Sequence, residues 1–367
     1  NNWLKNIQNF ILMISEAFKI SSKGGLYLNQ NRKTDIAWKI VRRCIGFILI
    51  MFLLSIVVFY FARLAPGDPL ESFYGDRVET MTPAELEAAR ARLGLDGPIW
   101  MQYIHWLSGV FQGDFGISLK YKMPAMQVIA PLIGNTLILG LTGYILVFTL
   151  AILLAMVCAR FEDSWLDKII CKVGTVSYYI PPFWLGVVLI MIFSVNLHWL
   201  PSSGAYDNGM AGDIGNRISH MILPLIVMIT SHLWYYTYLI RNKLLDEVRK
   251  DYVLLAKSNG LGKERILWGH CLRNIAPTIV SVMAISIPHV LSGTYIAESV
   301  FNYAGIGALG VESAKYHDYN LLMLVVLITG VLVIASSLIA QSINEVIDPR
   351  MKVTGVSIWK RKRKIRS

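Results

Sequence analysis

The chain has 367 residues, 54% of them hydrophobic and only 16% charged, with a formal net charge of +11 and a mean hydropathy of +0.50. Soluble domains carry about 25% charged residues, so this composition excludes an ordinary soluble enzyme and indicates a membrane protein. The positive excess fits either nucleic acid or an anionic membrane face, and its distribution along the chain decides between them.

In chain order, Trp3, Leu4, Ile7, Phe10, Ile11, Ile14 and Phe18 share one face at helical spacing. Residues 1–37 therefore read as an N-terminal amphipathic extension whose helix lies on the membrane or packs against the bundle. The stretch is too polar for a signal peptide, and no small-residue cleavage site follows it.

A bilayer core takes about 20 mostly apolar residues per helix. Six stretches qualify: CIGFILIMFLLSIVVFYFA from Cys44, then roughly 136–159, 173–197, 220–240, 277–297 and 321–343. The fourth and fifth are interrupted by His220, His232, Ser286, His289 and Ser292. The fold class expected is an all-α integral membrane protein of six transmembrane helices.

Between the first two spans, residues 64–131 are long for a loop and need structure of their own. In MTPAELEAARARLGLDGPIWMQYIHWL, Thr82 and Pro83 predict a helix start, Gly94 its end, and Pro98 the start of a second helix. This acidic stretch, which includes Asp68, Glu85 and Glu87, is expected to form a small lid. It is too short for a large core.

Residues 241–276 mix Arg241, Lys243, Arg249, Lys250, Lys257, Lys263, Arg265 and Arg273 with apolar positions. Leu244, Val248, Tyr252 and Leu255 keep helical spacing up to Ser258, where Asn259-Gly260 predicts a cap. A second short helix is expected from Lys263, ending before Pro277. Such a pair of helices either seats in a partner's groove or merely connects two spans.

Lys and Arg cluster before the first span, in 241–275, and in the 353–367 tail, but are sparse in the other long connections. The positive-inside rule then places both termini and the 241–276 loop in the cytoplasm of a multi-pass protein of the cell (inner) membrane. The basic residues flank spans instead of forming one domain face. No nucleic-acid partner is expected, and the tail reads as an end facing membrane lipids. Cys44, Cys158, Cys171 and Cys271 predict no disulfide, show no metal-ligand spacing, and accompany no GxSxG serine. No catalytic residue and no metal site is expected.

DYVLLAKSNGL, with Asp251, Tyr252, Val253, Ala256, Gly260 and Leu261, resembles the cytoplasmic "EAA" loop of ABC-transporter permeases of the oligopeptide, dipeptide and nickel importer family. LRNIAP with Arg273, LAPGDP at 64–69, ESVFNYAGIG at 298–307, HDYN at 317–320 and IDPR at 347–350 extend the resemblance over residues 38–352, and it is that of an oligopeptide permease B-type subunit. Leu254 stands where that family often has Arg, and Ala304 where Pro usually precedes Gly-Ile-Gly.

The resemblance implies a permease domain of type I importer kind over 38–352, with 64–131 as an extracytoplasmic insertion and 241–276 as the coupling loop. It implies a second homologous permease subunit, two ABC ATPase subunits and an extracytoplasmic substrate-binding protein as partners. ATP and Mg would be bound by the ATPase partners, since the P-loop pattern fails here: Lys257 stands at the first Gly and Glu264 at the Ser/Thr. The substrate implied is an oligopeptide or dipeptide, with a nickel chelate as the alternative. An ion-driven secondary transporter fits less well, because the expected spans are nearly free of Asp and Glu. His232 and His289 read either as translocation-path residues or as packed histidines, and Glu298, at a span edge, as a third path position. Asp68, Glu85 and Glu87 read as docking positions for the binding protein, or as parts of a passive cap.

Overall fold

The computed structural model describes residues 30–64 and 67–347. The expected helix over residues 3–18 and the basic tail from 353 lie outside them.

All the long elements are helices. Five are long and apolar enough to cross a membrane, and a sixth crossing results if one bent pair counts as a span. The first is α1 (Gln30–Leu64), whose apolar part is Val41–Leu64. The lid follows as α2 (Pro69–Tyr74), a 3-10 segment Gly75–Thr80, α3 (Pro83–Arg92) and α4 (Ile99–Phe111). Then come α5 (Ala125–Arg160), α6 (Trp165–Tyr178), α7 (Pro182–Leu189) continued by a π segment Ile190–Asn196, and α8 (Ile214–Val248). The chain closes with α9 (Asp251–Ser258), α10 (Lys263–Ile266) continued by a π segment Leu267–Cys271 into α11 (Leu272–Val300), α12 (Ile306–Lys315) and α13 (Tyr319–Ile347).

The core runs between α5, α8 and α11. Leu139, Val147, Phe148 and Ala151 of α5 are sealed against Val227, Met228, Tyr236 and Ile240 of α8 and Ile279 and Val290 of α11. Phe148 stacks obliquely on Tyr236 at 4.6 Å between centroids. A close approach of α5 and α8 is required at Gly143, where an added Cβ would lie 2.6 Å from the Met228 methyl.

The lid is built as its capping signals require. Thr82 accepts from the Glu85 amide and Glu85 returns to the Thr82 amide, closing a capping box on α3. Gly94 ends α3 at φ +64°, cheap for a residue without a Cβ. However, α4 does not sit over the bundle. Tyr103 bonds Ser55 at 2.9 Å and packs edge-on against Phe59, so α4 lies beside the C-terminal half of α1. Its exposed Trp100, Ile104 and Phe111 give it an apolar outer face.

Three expectations about the spans need correction. The third is not one straight helix, since α6 and α7 with its π segment meet at 97°. Pro181 and Pro182, neither with an N–H to donate, fall at that break. The fourth begins earlier, at Ile214, because Asp213 caps it by accepting from the amides of Gly215 and Asn216. The helix from Lys263 does not stop before Pro277. It runs on through Pro277 and Pro288 to Val300. A proline in a helix interior costs ~3 kcal/mol, and burial of Ile275, Ala276 and Ile279 around Pro277 offsets it.

Candidate functional site

The segment from Glu247 to Cys271 is a short helix held on a polar clamp. In α9, Val253 and Ala256 are buried while Leu254 and Leu255 are 58% and 63% exposed, so the helix turns two apolar knobs outward. Asp251 lies in its first turn, where a carboxylate favours the helix dipole. Its end is a Schellman motif: the Gly260 amide reaches Lys257 O at 3.0 Å and the Leu261 amide reaches Ala256 O at 3.1 Å. Gly260 takes φ +77°, and Leu261 packs onto the core. The Ala256, Gly260, Leu261 spacing is therefore the spacing of a helix stop.

Behind α9, Glu247 is 6% exposed and accepts from Tyr252 Oη at 2.9 Å, Asn274 Nδ2 at 3.2 Å and Lys250 Nζ at 2.6 Å. Burial beside Cys271 and Glu247 pushes the Tyr252 phenol up, so it remains the donor in that bond. One carboxylate thus joins α8, α9 and α11. The turn after α5 is tied to the same region. Arg160 pairs with Glu264, Lys263 donates to Arg160 O, and Arg249 pairs with Glu162 at 2.6 Å. Arg273 is exposed on the outer side of this assembly.

His232 of α8 and His289 of α11 meet at 5.1 Å between ring centroids, edge to face. His232 is buried, with Nδ1 3.0 Å from Met228 O and 2.9 Å from Ser231 Oγ, while His289 is exposed. A Cβ on Gly293 would strike the His232 ring, so this glycine makes the space for it. His232 is thus a packed residue and His289 the accessible one of the pair.

Glu298 has 0% exposure and is a structural cap. Its carboxylate accepts from the amides of Gly307 at 2.6 Å and Ala308 at 3.3 Å, at the N-terminus of α12. A Cβ on Gly305 or Gly307 would collide with that carboxylate, which explains both glycines of Gly-Ile-Gly. Ala304, in place of proline, still positions its carbonyl for Asn135 Nδ2 at 2.8 Å.

At the other end of the lid, Asp68 caps α2 through the Leu70 amide at 2.9 Å and reaches Arg90 of α3 at 3.2 Å. Glu85 is occupied by the Thr82 cap, and this hydrogen bonding holds its carboxyl below the usual carboxylate range. Glu87 is exposed. The three acids are therefore not equivalent: two hold the lid together. The HDYN motif is a second structural knot, in which buried Asp318 accepts from Ser118 Oγ and from the Lys120 amide at 3.1 Å. Beside it, Tyr121 donates to Glu312 at 3.0 Å, and burial with that carboxylate pushes the phenol up to about 12.

Between α6 and the half of α8 leading to α9 lies a cavity of about 440 Å³. Arg241 grips Asp167 with two bonds of 2.8 and 2.5 Å, and Gly174 lets α6 come against the Trp234 ring. Cys158, Asp167 and Cys171 bring their ligand atoms within 4.8 Å of one another. The guanidinium already holds both Asp167 oxygens, and a metal cation there would have to displace it.

The model named "Binding-protein-dependent transport system inner membrane component" matches residues 151–353, and its N-terminal companion matches residues 37–136. The chain belongs to this family. It is a multi-pass transport permease, not an enzyme. Among relatives, the oligopeptide transport system permease protein AppB of Bacillus subtilis is 33% identical over 85% of this chain and 98% of its own. The dipeptide transport system permease protein DppB of Escherichia coli K12 is 29% identical over the same shares. A chain of the solved inward-facing MetNI methionine ABC transporter is 15% identical over 59% of this permease and 97% of its own length, with a TM-score of 0.45.

Sequence reasoning passed over Glu247 and Asp167 in this permease, and read Arg241 only as one of the basic residues of the loop. An acid four residues before the loop motif, and an Asp–Arg pair 74 positions apart, carry no local pattern. The signal for Glu247 was its place three residues before Lys250 on an otherwise apolar helical face.

Proposed function

We propose that this chain is the permease through which an ATP-driven importer of the inner membrane passes oligopeptides or dipeptides, working with a second, homologous permease subunit. Two ABC ATPase subunits would bind ATP and Mg, and an extracytoplasmic binding protein would deliver the substrate. The observation that carries this reading is α9, with Leu254 and Leu255 exposed on one side and Glu247 clamping the other. An apolar pair on a braced helix suits a groove in an ATPase partner. Asp251, Tyr252, Ala256, Gly260, Leu261 and Arg273 form or flank that element. The peptide substrate is supported by the names of the AppB and DppB relatives.

Both termini are then cytoplasmic, residues 38–352 are the permease domain, 64–131 its extracytoplasmic insertion and 241–276 its coupling loop. His289 is the path position retained from the sequence, with His232 behind it. Asp68 holds the lid's shape, and Glu87 is the lid carboxylate free to meet the binding protein. The test is ATP-dependent peptide uptake into proteoliposomes that contain the complete transporter. Leu254→Asp with Leu255→Asp should abolish ATPase association and uptake while the permease still inserts. Full uptake by that variant would falsify the coupling role of α9.

A further inference from the structure

We propose that α4 is a membrane-embedded helix of the lid, seated through an apolar stripe in the acyl chains of the leaflet on the lid's side. Depth along α1 carries this. The apolar part of α1, Val41–Leu64, has 24 residues and is about 36 Å long at 1.5 Å per residue, against a hydrocarbon core of ~30 Å. Tyr103 of α4 bonds Ser55 and packs on Phe52 and Phe59. Ser55 lies about 13 Å in from the Leu64 end of the span. Even with the whole surplus of ~6 Å placed at that end, the contact lies ~7 Å inside the hydrocarbon. An amphipathic interfacial helix beds its apolar face at ~5–10 Å, which is the same depth.

Around its axis α4 presents three faces. Ile99, Tyr103, Trp106 and Leu107 pack with Phe59 of α1 and Met323 of α13. Next in rotation come Trp100, Ile104 and Phe111, 55%, 55% and 84% exposed, which at 3.6 residues per turn fall within about 40° of arc. His105 and Ser108 follow, both exposed, and give the helix a polar edge for the headgroup level. Its neighbour α1 carries an exposed row of the same kind, Leu53, Val57, Phe61 and Leu64. The approach to α4 also suits a dry setting, where a backbone carbonyl without a partner is costly. Gln102 Nε2 donates to Leu95 O at 3.0 Å and to Gly97 O at 3.1 Å. Exposed Asp96 and Asp114 flank the helix and return both of its ends to water. A helix standing in water would leave the stripe bare, and a cover of protein has no need of the polar edge between two charged ends. The lid is thus fastened to the bilayer as well as to the bundle.

The experiment uses the complete, unmodified transporter in phosphatidylcholine–phosphatidylglycerol vesicles that contain a phosphatidylcholine with a diazirine midway along one acyl chain. After illumination and trypsin digestion, mass spectrometry reads the peptide Leu93–Lys120, which has no internal Lys or Arg. Acyl adducts are expected on Trp100, Ile104 or Phe111. A peptide free of adducts, from a preparation in which α1 carries them, overturns the proposal. A second measurement places spin labels on single cysteines, Ile104→Cys, Phe111→Cys and Ser108→Cys, in a background lacking the four native cysteines. Collisions with oxygen, which concentrates in acyl chains, should exceed those with water-soluble chromium(III) oxalate at 104 and 111, and the order should reverse at 108. Oxalate dominant at all three positions makes α4 a helix in water, and exclusion of both reagents from 104 and 111 makes the cover a protein such as the second permease. Either result overturns the lipid contact and leaves the import reading standing, since neither measurement involves the cargo.

Discussion

The ring of His317 covers Gly67 so closely that no side chain fits between them. Two motifs 250 positions apart, LAPGDP and HDYN, are therefore two halves of one contact, and Gly67 adds a φ of +132° that L side chains rarely adopt. Gly67→Ala should detach the lid from the start of α13, lower the thermal midpoint, and open the lid to protease at Arg77 or Arg90. Wild-type midpoint and cleavage pattern would show that the contact is dispensable.

Replacing Gly260 by Val places a β-branched residue at positive φ, a strain of ~1 kcal/mol or more. The Schellman bonds to Ala256 and Lys257 should break locally, with little effect on the spans. ATP-driven uptake should be lost while membrane insertion stays normal. Uptake at the normal rate would count strongly against α9 as the coupling element.

For Glu298, Gln can still accept from the Gly307 amide, but Ala leaves buried amides without partners at ~1–3 kcal/mol. Glu298→Ala should therefore lower stability and expose Lys315 to trypsin, and Glu298→Gln should preserve most of both. If Gln abolishes uptake at unchanged stability, the carboxylate acts on substrate and not as the cap of α12.

Glu85 and Glu87 separate two roles. Since hydrogen bonds to Thr82 lower the Glu85 pKa, its contribution is complete above the unfolded carboxylate value. It is lost as pH falls below ~4 through the folded value. Amide exchange at the start of α3 should quicken over that window, and Glu85→Gln should remove the dependence. Glu87→Lys should leave α3 intact but weaken the binding protein's association at low salt, with the effect fading as salt screens the charge over ~8–10 Å. Unchanged low-salt affinity would place Glu87 outside the interface.

Single cysteines at Ala88 and Ser258, in a background lacking the four native ones, report the sidedness of the lid and the loop. Opposite accessibility is expected. Labelling of both from one side would mean that the bent pair α6 and α7 does not cross.

The spans, the lid caps and the loop's glycine stop were legible because each is written in consecutive residues: apolar length, Thr82 with Glu85, Asn259-Gly260 before Leu261. The break in the third span was less so. YYIPPFW names its prolines, but the apolar run on both sides masks a change of direction. The continuity of α10 into α11 was misread because proline's local preference lost to burial of its neighbours. Glu298 could not be assigned from sequence alone, since its partners are the amides of a helix nine and ten residues ahead.

From Lys263 to Val300 the chain is one helical rod, roughly 55 Å long at 1.5 Å per residue. One tip is tied through Glu264 to the turn beside α9, and the other carries the carboxylate that fixes α12. A tug on the Lys263 tip needs no relay of rearranging side chains to be felt at the Val300 one. The rod can act as a pushrod, with Pro277 and Pro288 as its weak points, so stiffening it at those prolines should alter the timing of opening more than the strength of any single contact.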